Sequence, residues 1–222
     1  MSAALMNKIE TRTKDYTQGL IAANTPEVLT NIYQKDINIV TWKRELSTEL
    51  TSAVNDFLNR NKTKAAVLAV TPENTNEVLC NTFGDSETMM PLRNDIAVLV
   101  DMFCCLFELK GAGLRITILD RAMCPRFHFD RILTTYQGDG TQWLPNDVID
   151  RNKLGAGNQG KSDEQSGLFQ QLSDINQLTH GDVALLKGEH WFENEGAGLV
   201  HRSPPAIEGE RRLLLTLDFL AD

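Results

Sequence analysis

The stretch RRLLLTLDF, residues 211–219, is a strong β-strand signal near the end of the chain. Each odd-numbered position from 213 to 219 is apolar, whereas Arg212, Thr216 and Asp218 occupy even-numbered positions. Because successive side chains of a strand point to opposite faces, the stretch predicts a strand with one apolar face and one mixed face. Four other runs after Gly113 have β character: 114–119, 131–136, 183–186 and 199–200.

Strands that recur in this way indicate a β-sandwich or barrel, with helices from the preceding half packed against it. Helical signals dominate that preceding half. A proline-initiated helix follows Thr25, residues 47–60 are amphipathic, and residues 91–109 predict a largely buried helix. Short strands are expected at 36–42 and, buried, at 65–70.

The sequence therefore predicts one α+β domain over residues 1–222. Residues 1–112 form a mainly helical part that packs on a β core of residues 113–222. Residues 151–171 are rich in glycine, asparagine, glutamine and serine, which predicts a long mobile loop within that core.

Composition narrows the class of protein. The chain has 222 residues, 41% of them apolar, and carries 22 basic and 30 acidic side chains for a net charge of −8. This composition excludes a disordered chain and argues against a nucleic-acid-binding protein, which would carry a basic excess. No apolar run is long enough to span a membrane, and the N-terminus has no signal-peptide order. We expect a cytoplasmic protein without a disulfide framework.

Two histidines and one aspartate are the candidate metal ligands. His128 and Asp130 are two residues apart at the edge of a predicted strand, so their side chains face the same side. His201, at the edge of a distant strand, would complete a set of two imidazoles and one carboxylate. That set leaves metal positions open and is the usual ligand set of non-haem Fe(II) oxygenases. The structural alternative is that all three have ordinary strand-edge or loop roles.

Two adjacent arginines, ten and eleven residues after His201, add a candidate anion site. A guanidinium beside such a metal can hold a carboxylate by a two-pronged ion pair. Strand alternation sends Arg211 to the leucine face and Arg212 to the face of Thr216 and Asp218. Arg212 is therefore preferred, and Arg211 is kept as the alternative.

The order His-x-Asp, His and Arg, with the turn and strand of GDVALL at 181–186, resembles the Fe(II)/2-oxoglutarate dioxygenase superfamily. The resemblance implies a double-stranded β-helix, a jelly-roll or cupin-like fold, in the C-terminal half. It also implies Fe(II) and 2-oxoglutarate as cofactors and oxygenation of a small-molecule or protein substrate. This chain departs from the superfamily two residues after the arginine, where many members carry a hydroxyl residue: the position is Leu214, or Leu213 when counted from Arg211.

A closer resemblance covers most of the chain. The segments CPRFHFDRILTTYQGDGTQWLP, HGDVALLKGE, HRSPP and RRLLLTLDF are similar to a bacterial family, the domain of unknown function 1826 family. That resemblance implies a link to zinc-responsive genes, so a non-catalytic metal-binding protein of zinc homeostasis is the alternative function. We interpret Cys124, four residues before His128, as a buried free cysteine; the alternative is that it supplies a thiolate to a zinc site.

Residues around the His-x-Asp strand complete the candidate site. We interpret Tyr136 as a neighbour of the co-substrate, and Arg126, Trp143 and Asn146 as lining a substrate pocket. The alternative for Trp143 is a core aromatic residue that follows a hairpin turn.

Overall fold

The computed structural model describes residues 19–61, 65–119, 131–205 and 207–220, without the side chains of Arg131 and Ile132. The helices within these ranges are α1 (Thr48–Arg60), α2 (Thr75–Phe83), α3 (Met90–Leu106) and the single turn α4 (Asp163–Ser166). The first strands are β1 (Leu20–Ala23), β2 (Ile39–Trp42), β3 (Ala65–Val70), β4 (Ala112–Leu119) and β5 (Arg131–Gln137). The remaining strands are β6 (Gln142–Leu144), β7 (Asn176–Gln177), β8 (Val183–Leu186), β9 (Val200–Arg202) and β10 (Arg212–Asp218).

Two sheets face each other. The main sheet has seven strands in the order β1-β2-β8-β5-β10-β4-β3, antiparallel except for the β1–β2 pair. The small sheet has the order β7-β6-β9 and is antiparallel. An apolar cluster joins the two sheets, because Trp143 of the small sheet packs with Ile39, Leu133 and Leu186 of the main sheet.

The opposite face of the main sheet is covered by helices. Leu213, Leu215 and Leu217 of β10 are buried there in one cluster with residues of α1 and α3. This is the apolar face that the alternation of residues 211–219 predicts. The other face of β10, which carries Arg212 and Thr216, points toward the small sheet.

The predicted helices are observed close to their expected positions. Helix α1 begins after Ser47, whose side chain accepts a hydrogen bond from the Leu50 amide. Its apolar stripe, including Val54 and Phe57, is buried against the sheet and α3. The helix predicted after Thr25 is a 3-10 helix over Pro26–Tyr33.

The N-terminal half contributes the two expected strands, β2 and β3, and one further strand, β1, which the sequence pattern does not predict. Strands β1, β2 and β3 extend the main sheet at both of its edges. Residues 65–70 form the expected strand, but the expectation that it is buried is wrong, because β3 exposes alternate side chains and Val67 is 65% exposed. An edge strand of short apolar residues cannot be told from a buried strand by composition.

The segment 151–171, which the sequence predicts to be a long loop, contains short helices. It contains short 3-10 helices over Arg151–Lys153 and Gly155–Asn158, followed by α4. Leu168 and Phe169 at its end are buried in a cluster with residues of β6 and β9. The mobility of this segment stays a prediction. Within the described ranges, no helix is long and apolar enough to cross a membrane.

Candidate functional site

The candidate site lies between the two sheets, at the end of β9 and the beginning of β10. His201 is directly opposite Trp143 in the β6–β9 register. Cross-strand partners project to the same face, and Trp143 packs toward the main sheet, so His201 also faces the space between the sheets. Arg212 points into the same space from the main sheet and contacts Ser203, two residues beyond His201.

The environment of His201 fits a metal ligand. The imidazole is 7% exposed, and its Nδ1 lies 3.2 Å from the Leu199 carbonyl oxygen. A proton on Nδ1 that is donated to this carbonyl puts the lone pair on Nε2. A ring nitrogen held in this way by the backbone is the usual support for a metal-binding histidine.

Three hydroxyl groups surround the guanidinium of Arg212. Nη2 donates to Thr135 Oγ1 at 3.0 Å and to Thr141 Oγ1 at 2.8 Å, and Nη1 donates to Ser203 Oγ at 3.2 Å. Each hydroxyl comes from a different element: β5, the turn before β6, and the segment after β9. We call these three residues the hydroxyl cradle. The cradle fixes the guanidinium plane without neutralising its charge.

Arg212 is a buried cation without an ion-pair partner among the residues that the structure describes. It is 7% exposed, and its Nε is buried with no hydrogen-bond acceptor in the described part of the chain. Burial lowers the pKa of Arg212 to about 10, and the nearby charge of Asp139 opposes this shift. The guanidinium is therefore still protonated at neutral pH. A buried charge without a counter-ion is costly, and a bound anion would remove that cost.

A tight turn between β5 and β6 brings the cradle together. Gly138 has a φ of +82°, and a Cβ atom added there would lie 3.1 Å from Arg212 Cβ. A Cβ atom at Gly140 would lie 1.8 Å from the Leu178 carbonyl oxygen. The two glycines allow the close backbone approach that the sequence motif Gly-x-Gly suggests, and they place Thr141 against Arg212.

Substitution of Gly138 by alanine should destabilise the protein more than the same change at Gly209. Both glycines have a φ of +82°, but no described atom lies within 4 Å of a Cβ at Gly209. Both variants have the cost of an alanine in left-handed backbone, about 1–2 kcal/mol. Gly138→Ala must also displace Arg212, which should add about 1 kcal/mol or more. Denaturant unfolding of the two variants measures the difference, and equal losses would contradict the contact.

Arg211 and Tyr136 project to the helical side of the main sheet, away from Arg212. Arg211 Nη1 and Nη2 donate to the carbonyls of Leu58 and Asn61 at the end of α1. The Tyr136 hydroxyl donates to Asp95 of α3 at 2.6 Å. The arginine is thus a helix C-terminal cap, and the tyrosine shares Asp95 with Arg44 in a hydrogen-bonded network. Neither side chain contacts the hydroxyl cradle.

The remaining predicted residues fall into two groups. Asn146 follows β6, donates to the Ala197 carbonyl at 2.9 Å and accepts from Arg151 at 2.6 Å. It lines an open cleft with Asn38 and Asn194, at the end of the site away from Arg212. The predicted residues that lie outside the described ranges are Cys124, Arg126, His128 and Asp130. Within those ranges, no three histidine, cysteine or acidic side chains form a group that could hold a metal.

Sequence reasoning missed the hydroxyl cradle. Thr135 and Thr141 lie in the segment CPRFHFDRILTTYQGDGTQWLP and Ser203 in HRSPP, but no local pattern indicates that the three hydroxyl groups meet at Arg212. The one sequence feature that points to the cradle is the pair Gly138 and Gly140 just before Thr141, which indicates a backbone turn close to another element. That signal does not say which element the turn approaches.

Solved structures resemble this fold at low sequence identity. The dioxygenase for auxin oxidation 1 of Arabidopsis thaliana, in a binary complex with 2-oxoglutarate, has a TM-score of 0.51 at 10% identity, covering 92% of both chains. The rice dioxygenase for auxin oxidation has a TM-score of 0.49 at 11% identity, over 91% of this chain and 83% of that one. HygX of Streptomyces hygroscopicus, with nickel and 2-oxoglutarate bound, has a TM-score of 0.43 at 12% identity, over 88% and 86%.

The first of these similarities confirms the predicted fold class, an α+β protein with a double-stranded β-helix like that of the 2-oxoglutarate dioxygenases. At 10% identity the similarity concerns the fold alone. No curated protein sequence matches the chain.

A family assignment comes from the sequence itself. A family model matches residues 23–218. This range includes nearly all strands of both sheets and the helices between them. This match confirms the resemblance that segments such as HRSPP and RRLLLTLDF carry. The chain belongs to the family described as protein of unknown function (DUF1826).

Proposed function

We propose that this protein is a 2-oxo-acid-dependent, non-haem Fe(II) oxygenase that hydroxylates a small-molecule or protein substrate. The observation that carries the proposal is Arg212, a buried guanidinium with neutral hydroxyl partners, in the same inter-sheet space as His201. A fixed cation in a water-poor cleft is a receptor for a carboxylate.

In this proposal each residue has one task. His201, together with His128 and Asp130, would hold the metal, in the facial arrangement that His-x-Asp and a distant histidine predict. Arg212 binds the remote carboxylate of 2-oxoglutarate and orients the acid. Trp143, which is buried beside His201, excludes water from the same space.

The overall reaction balances without a further reductant. When bound, Fe(II) would supply the redox chemistry that couples decarboxylation of the oxo acid to reduction of O₂. The carbon–carbon bond next to the oxo group breaks, and 2-oxoglutarate and O₂ give succinate and CO₂. One oxygen atom enters succinate and the other enters a carbon–hydrogen bond of the substrate as hydroxyl.

The alternative role in zinc homeostasis has no supporting observation among the described residues. Its distinguishing group, the thiolate of Cys124, lies outside them. The buried guanidinium of Arg212 favours the oxygenase function. A closed structural zinc site has four protein ligands and binds no further anion.

The first test is spectroscopic. Anaerobic addition of Fe(II) and 2-oxoglutarate should produce a charge-transfer band in the visible range, and O₂ should then release succinate. His201→Ala should lose the band, whereas His180→Ala, a change in an exposed turn, should keep it. Tightly bound zinc in the purified protein, with no band after exchange for Fe(II), would overturn the proposal in favour of the zinc alternative.

A further inference from the structure

We propose that the hydroxyl cradle, rather than the residue two positions after Arg212, selects a dicarboxylic 2-oxo acid as the co-substrate. This inference rests on the proposed function. It concerns the departure at Leu214, which offers no hydrogen bond where a hydroxyl residue would be expected. Leu214 instead packs partly against the apolar cluster between the sheets.

The cradle supplies the donors that Leu214 lacks. A hydroxyl group has one donor hydrogen and two acceptor lone pairs. Each cradle hydroxyl accepts a hydrogen bond from Arg212, and none donates to an acceptor among the described residues. The guanidinium therefore orients three hydroxyl groups whose hydrogens remain for a ligand.

The guanidinium itself also keeps a donor. Three of its five N–H groups bind the cradle, while Nε has no acceptor within the ranges that the structure describes. A carboxylate that contacts Nε and the cradle hydroxyls would receive charge-assisted hydrogen bonds from several directions. Each cradle hydroxyl also keeps one lone pair that could accept from a neutral group, but only an anion would balance the positive charge of the buried guanidinium. The buried positive charge, together with these donors, is the basis of selection for an anion.

The spacing along β9 adds a length requirement. Ser203, which contacts Arg212, is two residues after His201. Two residues of extended backbone span about 7 Å. A ligand that joins the two positions needs one charged group for the cradle and a chelating oxo-acid group some carbons away. A five-carbon dicarboxylate has this form, and pyruvate does not.

A surface depression gives access to the cradle. It is lined by Gly138, Ser203, Pro204 and Arg212, at the end of the main sheet where β10 begins. Asp139 and Glu210 also line this depression. Their negative charges disfavour loose anion binding at the rim, so the attraction for a carboxylate is confined to the buried guanidinium.

Calorimetric titration of the Fe(II)-loaded protein, without O₂, tests the inference with 2-oxoglutarate, glutarate and pyruvate as ligands. Wild type should bind 2-oxoglutarate most tightly, glutarate detectably and pyruvate at least tenfold more weakly than 2-oxoglutarate. Thr141→Val keeps the side-chain shape and removes one hydroxyl, so it should weaken 2-oxoglutarate and glutarate about tenfold. It should leave the weak affinity for pyruvate unchanged, since pyruvate has no group for the cradle.

Thr216→Val is the matched control. Thr216 is 3% exposed on the same face of β10, and its hydroxyl has no hydrogen-bond partner among the described residues. This variant should bind 2-oxoglutarate as wild type does. Equal 2-oxoglutarate affinities of wild type and Thr141→Val would overturn the role of the cradle and leave the oxygenase proposal intact. Absence of 2-oxoglutarate binding by wild type would overturn the proposed function itself.

Discussion

Replacement of Arg212 by methionine is expected to abolish binding of 2-oxoglutarate, with a loss of affinity of about a hundredfold or more. The buried guanidinium is the only cation that the described residues place in the hydroxyl cradle. A carboxylate that enters this space without it would have no counter-charge, and a desolvated, unpaired charge costs several kcal/mol. Calorimetry of the variant, with Fe(II) and without O₂, measures the loss.

Arg211→Met is the matched control for this change. It removes the neighbouring guanidinium, which caps α1 on the other side of the main sheet. We expect a loss of stability of about 1–2 kcal/mol from the missing charge-assisted hydrogen bonds, with the affinity for 2-oxoglutarate unchanged. Weaker binding in Arg211→Met and normal binding in Arg212→Met would reverse our assignment of the two faces.

The stability of the ligand-free protein distinguishes a binding role of Arg212 from a structural one. A buried cation without a counter-ion contributes little to folding, so Arg212→Met should unfold within about 1 kcal/mol of wild type when no acid is present. Saturating 2-oxoglutarate should then raise the melting temperature of wild type alone. A large loss of stability in the ligand-free variant would identify Arg212 as a structural residue.

Asp95→Asn is expected to give the largest loss of folding stability, about 3–5 kcal/mol. Asp95 accepts from Arg44 at 2.6 and 2.9 Å and from the Tyr136 hydroxyl at 2.6 Å. Burial, followed by the charge of Asp95, raises the pKa of Tyr136 well above its usual value, so the phenol remains a donor at neutral pH. The amide that Asp95→Asn introduces carries no charge, so the nearly buried guanidinium of Arg44 would lose its counter-ion.

This network connects the helices to the strand that carries the cradle. Arg44 Nε donates to the Gly181 carbonyl at 2.8 Å, and the Gly181 amide donates to the Thr135 carbonyl at 2.7 Å. Loss of Asp95 should therefore loosen the turn before β8 as well as α3. Denaturant unfolding gives the free-energy change, and hydrogen exchange at the Gly181 amide reports the local effect.

Two controls accompany the Asp95 variant. Glu193→Gln makes the same acid-to-amide change in an exposed ion pair with Lys35, and it should cost less than about 1 kcal/mol. Arg44→Met combined with Asp95→Asn should recover part of the stability, because the unpaired charge is gone. If Asp95→Asn were as stable as Glu193→Gln, the network would have no special role in folding.

Much of the fold could be predicted from periodicity. Helices α1 and α3 and strands β4, β5, β8 and β10 lie close to the residues that alternation and helical spacing indicate. These elements are long or strongly patterned, so local signals suffice. The strands β6 and β7 have three and two residues, too few to establish a period, and the sequence did not reveal them.

The candidate site could be predicted only in part. Alternation along residues 211–219 separates Arg211 from Arg212, because the two faces of β10 differ in polarity. It does not say that a turn of β5 and β6 folds over Arg212, or that Asp95 on a distant helix engages Tyr136. Those contacts join residues many positions apart, and no local pattern encodes them.

The sequence by itself determined the positions of the longer strands β4, β5 and β10, the two faces of β10, and the family to which the chain belongs. These properties follow from the side-chain period of two and from motifs that are contiguous in the chain. The tertiary structure alone decided that Arg212 is buried among three hydroxyl groups without an acidic partner in the described ranges. Burial and pairing depend on which strands become neighbours, and the packing of the whole sheet determines that choice.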